Sequence, residues 1–157
     1  MRVEGKAVVV GDDIDTDQII AGRYLRTKDR QLWALHVFED YDPRLRSQLK
    51  GSVIVAGKNF GCGSSREQAV IALREAGVLA VVAPSFARIF FRNAINIGLP
   101  AIEGTCDCRE GTVVNIDTDE GFIECDHNKT PVKPLSAKMH EILLAGGLVP
   151  LWRSRQR

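Results

Sequence analysis

Between residues 52 and 102 the chain alternates short apolar runs with glycine-punctuated amphipathic stretches, and that alternation leaves few folds open. Ser52–Ala56, Val78–Ala83 and Leu99–Ile102 read as short buried strands. Ser64 to Ala76 carries Ala69, Leu73 and Ala76 along one helical face and stops at Gly77, and Phe86–Ile97 reads as a second helix. Two strand–helix–strand units in succession need right-handed crossovers and so predict a parallel sheet. Upstream, valine-rich Val3–Val10 predicts a further strand running into a polar loop, Gly11–Asp17. A short helix follows over Gln31–Glu39, and a helical turn or two over Pro43–Leu49. Beyond Gly104 the character changes: Thr112–Asp117, Gly121–Glu124 and Pro131–Lys133 predict short strands joined by turns. Ser136 can cap a final helix through Leu144, stopped by Gly146-Gly147. The expectation is one α/β domain over residues 1–157, a mostly parallel sheet flanked by helices with an appended β segment.

A chain of 157 residues is long enough for one real core. Its formal net charge of +1 gives no electrostatic case for nucleic acid or an anionic membrane as partner. The basic cluster Arg153, Arg155 and Arg157 reads as a frayed, solvated tail. No apolar run has signal-peptide length, and none approaches the roughly 18 residues of a membrane span. Cytoplasmic residence is therefore the expectation, with Cys62, Cys106, Cys108 and Cys125 as reduced thiols.

The stretch that carries chemistry is Gly61-Cys62-Gly63-Ser64-Ser65-Arg66-Glu67, a glycine turn leading into a helix with two hydroxyls and a guanidinium at its tip. Unpaired N–H groups at a helix N-terminus favour anions, and arginine offers a carboxylate a rigid two-pronged fork. The same residues fit a capping box, with Ser64 as N-cap and Glu67 reaching back from the third helical position. A nucleotide site is excluded by pattern. A dinucleotide fingerprint needs glycine where Arg66 stands, and no Gly-Lys-Ser/Thr follows the glycines. Calcium is excluded by spacing: with Asp13, Asp15 and Asp17 as first ligands, Gln18 falls where the loop glycine belongs and Tyr24 at the bidentate glutamate.

Gly63-Ser64-Ser65-Arg66-Glu67 resembles the signature of the swivelling β/β/α domain of the aconitase family, and other segments resemble that family in the same order. They are Asp12-Asp13-Ile14-Asp15-Thr16-Asp17, then Ile19-Ile20 and Tyr24-Leu25, Ser85 to Phe90, Arg92 to Gly98, and Ala145-Gly146-Gly147-Leu148. The resemblance implies the small subunit of a hydro-lyase that isomerises a hydroxy-carboxylic acid by dehydration and rehydration. Its [4Fe-4S] cluster would be bound by a separate large subunit and not by this chain, so the partner is expected to complete the site. It further implies Ser64 as the catalytic base, Asp17 beside the reacting groups, and Ser65 and Arg66 on substrate carboxylates. Asp17 reads equally as a turn residue capping backbone. In Tyr24-Leu25-Arg26-Thr27, the segment where the resemblance sets substrate selectivity, Arg26 favours a distal carboxylate. Isopropylmalate and homocitrate-type substrates both stay open, and Arg26 reads equally as a surface residue.

Cys106-Asp107-Cys108 and Cys125-Asp126-His127 form a Cys-x-Cys…Cys-x-His pattern whose one-residue spacers are tighter than those of zinc sites. No Cys-x-x-Cys run for an iron–sulfur site is present, and no metal is expected in this chain. Cys62 reads as a small packed residue in the wall of the motif. Against the enzyme stand a zinc- or nucleotide-binding module and a carboxylate sensor; the latter has no need of the base that Ser64 supplies.

Overall fold

The computed structural model describes residues 1–157. Its frame is a seven-stranded sheet in the order β4-β3-β2-β1-β5-β6-β7. β1 (Arg2–Val9), β2 (Ser52–Val55), β3 (Ala80–Ala83) and β4 (Ala101–Glu103) are parallel neighbours. On the other side of β1, β5 (Val113–Asp117), β6 (Phe122–Cys125) and β7 (Asn128–Pro131) form an antiparallel meander. The parallel half is thus the expected one and the antiparallel half is the appended segment.

The sheet curls until its two edges touch. Gly104, just past β4, bridges Val132, just past β7, and Lys133 N–H donates to the Glu103 carbonyl at 2.8 Å. Gly104 is required there, because a Cβ would stand 2.8 Å from a Val132 methyl. Successive strand side chains point to opposite faces, so the curl has two cores. Ala7, Val53, Val55, Val82, Ile102, Val114, Ile123 and Cys125 fill the inside. The alternate residues Val8, Ile54, Val81 and Ala83 face outward against helices. Strands buried on both faces explain why β2 and β3 read as unbroken apolar runs.

The helices on the outer face are α1 (Thr16–Ile19), α2 (Arg30–Leu35), α3 (Glu67–Glu75) and α4 (Arg88–Ile97). α5 (Ala137–Leu144) and α6 (Leu148–Ser154) pack as a pair on α4. Ser136 caps α5 as expected, its hydroxyl accepting from Met139 N–H at 3.1 Å. No helix is long and apolar enough to cross a membrane.

Four local expectations are corrected. Helix α2 ends at Leu35 rather than Glu39, because Phe38 adopts a left-handed backbone (φ 63°) that buries its ring and lets its N–H reach the Ile19 carbonyl. The supposed polar loop contains helix α1, which Asp15 opens with a capping box to Gln18. β7 starts earlier than expected because Asp126-His127 make a two-residue turn that pairs Cys125 with Asn128. The C-terminal arginines do not form a simple tail: α6 runs to Ser154, Leu151 is buried against Ile95, Ile142 and Leu143, and Arg155 pairs with Glu141.

Ile123 is fully buried inside the curl, remote in sequence from the glycine loop. Ile123→Ala is expected to destabilise the chain by about 2–5 kcal/mol in denaturant unfolding. A cost below about 1 kcal/mol would show that the interior is not packed as described.

Candidate active site

Three loops leave the C-terminal ends of neighbouring parallel strands, the position where open α/β sheets place their ligands. They are residues 10–15 after β1, 56–66 after β2 and 84–87 after β3. The middle loop is hydrogen-bonded to both of its neighbours. Gly61 N–H donates to the Ile14 carbonyl at 2.7 Å and Thr16 N–H to the Cys62 carbonyl at 3.0 Å. On the other side, Phe60 N–H donates to the Ser85 carbonyl at 3.1 Å and Ala87 N–H to the Phe60 carbonyl at 3.0 Å. Phe60 is fully buried, edge-on to both Phe86 and Phe90. Gly61 has φ 84°, and a Cβ there would lie 2.1 Å from the Phe90 ring, so only glycine fits.

The aspartate loop is consumed by internal bonding. Asp12 accepts from Lys58 N–H at 2.9 Å, Asp13 from the Asn59 side-chain amide at 3.0 Å, and Asp15 from Gln18 N–H at 2.8 Å. Asp17 takes a different partner: its Oδ1 lies 2.6 Å from Arg66 Nη1. Asp17 is exposed and Arg66 half-buried, so the pair contributes at most about 1 kcal/mol to stability. Its effect is to orient. The guanidinium is anchored through one nitrogen, and Nε and Nη2 make no hydrogen bond within the chain.

The capping box at Ser64 is not formed. α3 begins at Glu67, with Arg66 in the N-cap position and no side chain closing the end. The bridge of Cys62 to Asp15, a bend at Gly63 (φ 85°) and a 2.8 Å bond from the Thr16 hydroxyl to the Ser64 carbonyl tie residues 62–64 to the neighbouring loop and delay the helix. As a result the backbone N–H groups of Gly63, Ser64, Ser65, Arg66, Glu67 and Gln68 donate to nothing in the chain. Ser64 and Ser65 are exposed beside these amides. Together they edge a cleft of about 260 Å³ whose other walls include Thr16 and Arg88. Unpaired amides at a helix start with two arginines suit it chemically to a small polycarboxylate.

Arg88 and Thr16 are the contributors that sequence reasoning missed. Arg88 opens α4, exposed and without an acidic partner, and its only signal was its place within Ser85 to Phe90. Cys62 is half-buried behind the motif, and burial, reinforced by the Asp15 and Asp13 carboxylates, pushes its thiol upward and keeps it neutral.

Arg26 is exposed and forms no ion pair. Its loop starts at a 3₁₀ turn, Gly22–Tyr24, where a Cβ on Gly22 would meet Arg66 Nη1 at 3.5 Å. The loop is firmly held: the Tyr24 ring stacks on His36 at 4.0 Å, its hydroxyl donates to Glu39 at 2.6 Å, and Trp33 Nε1 donates to its carbonyl at 3.1 Å. The Tyr24 hydroxyl, with His36, holds the Glu39 carboxyl below the usual carboxylate range. Cys106, Cys108 and Cys125 lie together elsewhere, and His127 is not among them.

The aconitase C-terminal domain profile matches residues 10–105. The 3-isopropylmalate dehydratase small subunit of Moorella thermoacetica is 51% identical, over 96% of this chain and 94% of that protein. The methanogen homoaconitase small subunit of Methanothermobacter thermautotrophicus is also 51% identical, over 94% of this chain and 88% of that protein. The crystal structure of 3-isopropylmalate dehydratase from Methanocaldococcus jannaschii superposes with a TM-score of 0.94 at 46% identity, over 99% and 96% of the two chains.

Gly61→Ala is expected to lower stability by at least about 1–3 kcal/mol through backbone strain alone, with a further cost from displacing Phe90. Chemical denaturation checks it; an unchanged midpoint would mean the three loops are not fastened as described.

Proposed function

Because the chain belongs to the family of the aconitase C-terminal domain, we propose that it is the small subunit of a [4Fe-4S]-dependent hydro-lyase and works as a single swivel-type domain. The best reading is 3-isopropylmalate dehydratase, which converts 2-isopropylmalate to 3-isopropylmalate in leucine biosynthesis, in the cytoplasm. The observation that carries the catalytic reading is the run of unpaired amides from Gly63 to Gln68 with Ser64 and Arg66 at its edge.

The cluster fits a partner better than this chain. No cysteine lines the cleft, Cys62 stands alone behind the motif, and the other three are gathered elsewhere, so no ligand set for a cluster faces Ser64. Held by the large subunit, the cluster would supply a Lewis-acidic iron for the substrate hydroxyl. This chain's part is the other half. Arg66 presents Nε and Nη2 to one substrate carboxylate while Asp17 fixes its remaining nitrogen, and Ser65 adds a hydroxyl. Ser64 removes the proton next to that carboxylate. A neutral serine is a poor base, so its alkoxide needs stabilising, which the helix start, the free amides and the neighbouring guanidinium provide. The acceptor of the proton is thus Ser64 Oγ, which returns it in the reverse direction. Asp17, tied to Arg66, orients the fork.

The second reading, a homoaconitase-type subunit acting on homocitrate and homoaconitate, is favoured by Arg26. An exposed cation with no acidic partner, on a rigid loop that starts against Arg66, suits a distal carboxylate. Relatives of equal identity carry both names, so overall similarity does not separate them.

Two expectations test this. Ser64 caps nothing, so Ser64→Ala should leave stability within about 0.5 kcal/mol and preserve assembly. The same change should lower kcat by about 10²–10⁴-fold in the reconstituted enzyme, with wild-type chain alone inactive. Turnover by the isolated chain, or full activity of the variant, would remove the shared-site reading. For specificity, isopropylmaleate and homoaconitate are compared with wild type and Arg26→Val. Selective loss of homoaconitate hydration assigns the second reading; preference for isopropylmaleate, unchanged by the substitution, assigns the first.

A further inference from the structure

A second site of different chemistry lies inside the mouth of the curl. The loop between β4 and β5 carries Cys106 and Cys108, two residues apart, and β6 ends in Cys125. The three sulfurs lie within 4.8 Å of one another, Cys125 buried and the other two half-buried. Cys125 is remote in sequence from the other two and is brought to them by two devices. One is the curl, which carries the residues after β4 over to the β6–β7 hairpin through the Gly104–Val132 bridge. The other is the turn at Asp126 and His127, both in left-handed backbone conformation (φ 50° and 65°), which ends β6 directly after Cys125. Above the sulfurs is a cavity of about 510 Å³ bordered by Asp107, Asn128 and Thr130, with Ala56 and Pro84 at its rim.

We propose that Cys106, Cys108 and Cys125 form a mononuclear site for a thiophilic divalent cation, Zn²⁺ being the fitting ion. Around one tetrahedral ion with bonds of about 2.3 Å, thiolates stand about 3.8 Å apart, so the three sulfurs need only a small closure. In an iron–sulfur cubane each thiolate bonds a different iron and the sulfurs stand farther apart, which disfavours a cluster here. A disulfide would use two sulfurs and leave the third without a role. Soft thiolates select zinc over magnesium or calcium. The fourth position falls to water or to the carboxylate of Asp107, which borders the same cavity.

Binding replaces three S–H bonds by three S–Zn bonds and releases three protons to solvent, so affinity rises with pH. The ion would fasten the β4–β5 loop to the β6–β7 hairpin, where the edges of the sheet otherwise meet through one bridge and its neighbouring hydrogen bond and ion pair. Its role would be structural, independent of the hydro-lyase cleft.

The test is metal titration of the full chain, reduced, stripped with chelator and desalted. Zn²⁺ is expected to bind at one equivalent and raise the melting temperature, and Co²⁺ to give a thiolate-to-cobalt charge-transfer band. Cys108→Ser should lose both the equivalent and the band. Should that variant not fold, wild-type thiol alkylation replaces it: Zn²⁺ should protect Cys106 and Cys108 while Cys62 reacts at an unchanged rate. Sub-stoichiometric zinc, absence of the cobalt band, equal alkylation of all thiols with and without zinc, or a disulfide within the trio whose reduction restores no metal uptake would each overturn the proposal.

Discussion

The site depends on one constraint: the loop after β2 is threaded between its two neighbours and hydrogen-bonded to both. Gly61 bonds to Ile14 on one side and Phe60 to Ser85 on the other, which extends the parallel sheet pairing beyond the strands themselves. The threading leaves Gly61 against the Phe90 ring with no room for a side chain, so the loop has one path. Because residues 62–64 are still tied to the neighbouring loop through Cys62 and Ser64, the helix behind them starts late and uncapped. Six consecutive amides are left without partners, and the serine that local pattern assigns to a cap is freed for another role.

Electrostatics at the cleft follow from the same arrangement. Asp12, Asp13 and Asp15 of the neighbouring loop are bonded to backbone or side-chain donors within the loops, and none of them lines the cleft. Asp17 is paired with Arg66 and turns its fork outward. With Arg88 on the opposite wall the cleft has a cationic lining although the whole chain is almost neutral. Exposed serines and a guanidinium with free donors form half of an enclosure, the arrangement expected where a second chain supplies the other half.

Much of this was legible in the sequence because it rests on local pattern. Apolar runs buried on both faces identified β2, β3 and β4, and the glycines marked the loop between β2 and α3. What escaped was decided through space. The start of α3 was misplaced because a capping box is a local rule and the bond from Thr16 to Ser64 is not. The end of α2 was misplaced because the burial of Phe38 outweighed helical spacing. Arg88 joins Arg66 only once α4 is packed beside α3, and Cys106, Cys108 and Cys125 meet only once the sheet has curled. Their tight spacers argued against a metal, a rule that assumes each ligand pair forms its own short loop.

The central claim is that this chain contributes the base and the carboxylate fork to a site completed by another subunit. The most direct measurement is a crystal structure of the assembled enzyme with an unreactive substrate analogue. The account predicts a carboxylate of the analogue on Nε and Nη2 of Arg66 and the amides after Gly63. It also predicts Ser64 Oγ within about 3 Å of the carbon that loses its proton, a reach set by proton transfer. An analogue bound against a different face of this chain, with Ser64 and Arg66 left in solvent, would contradict it.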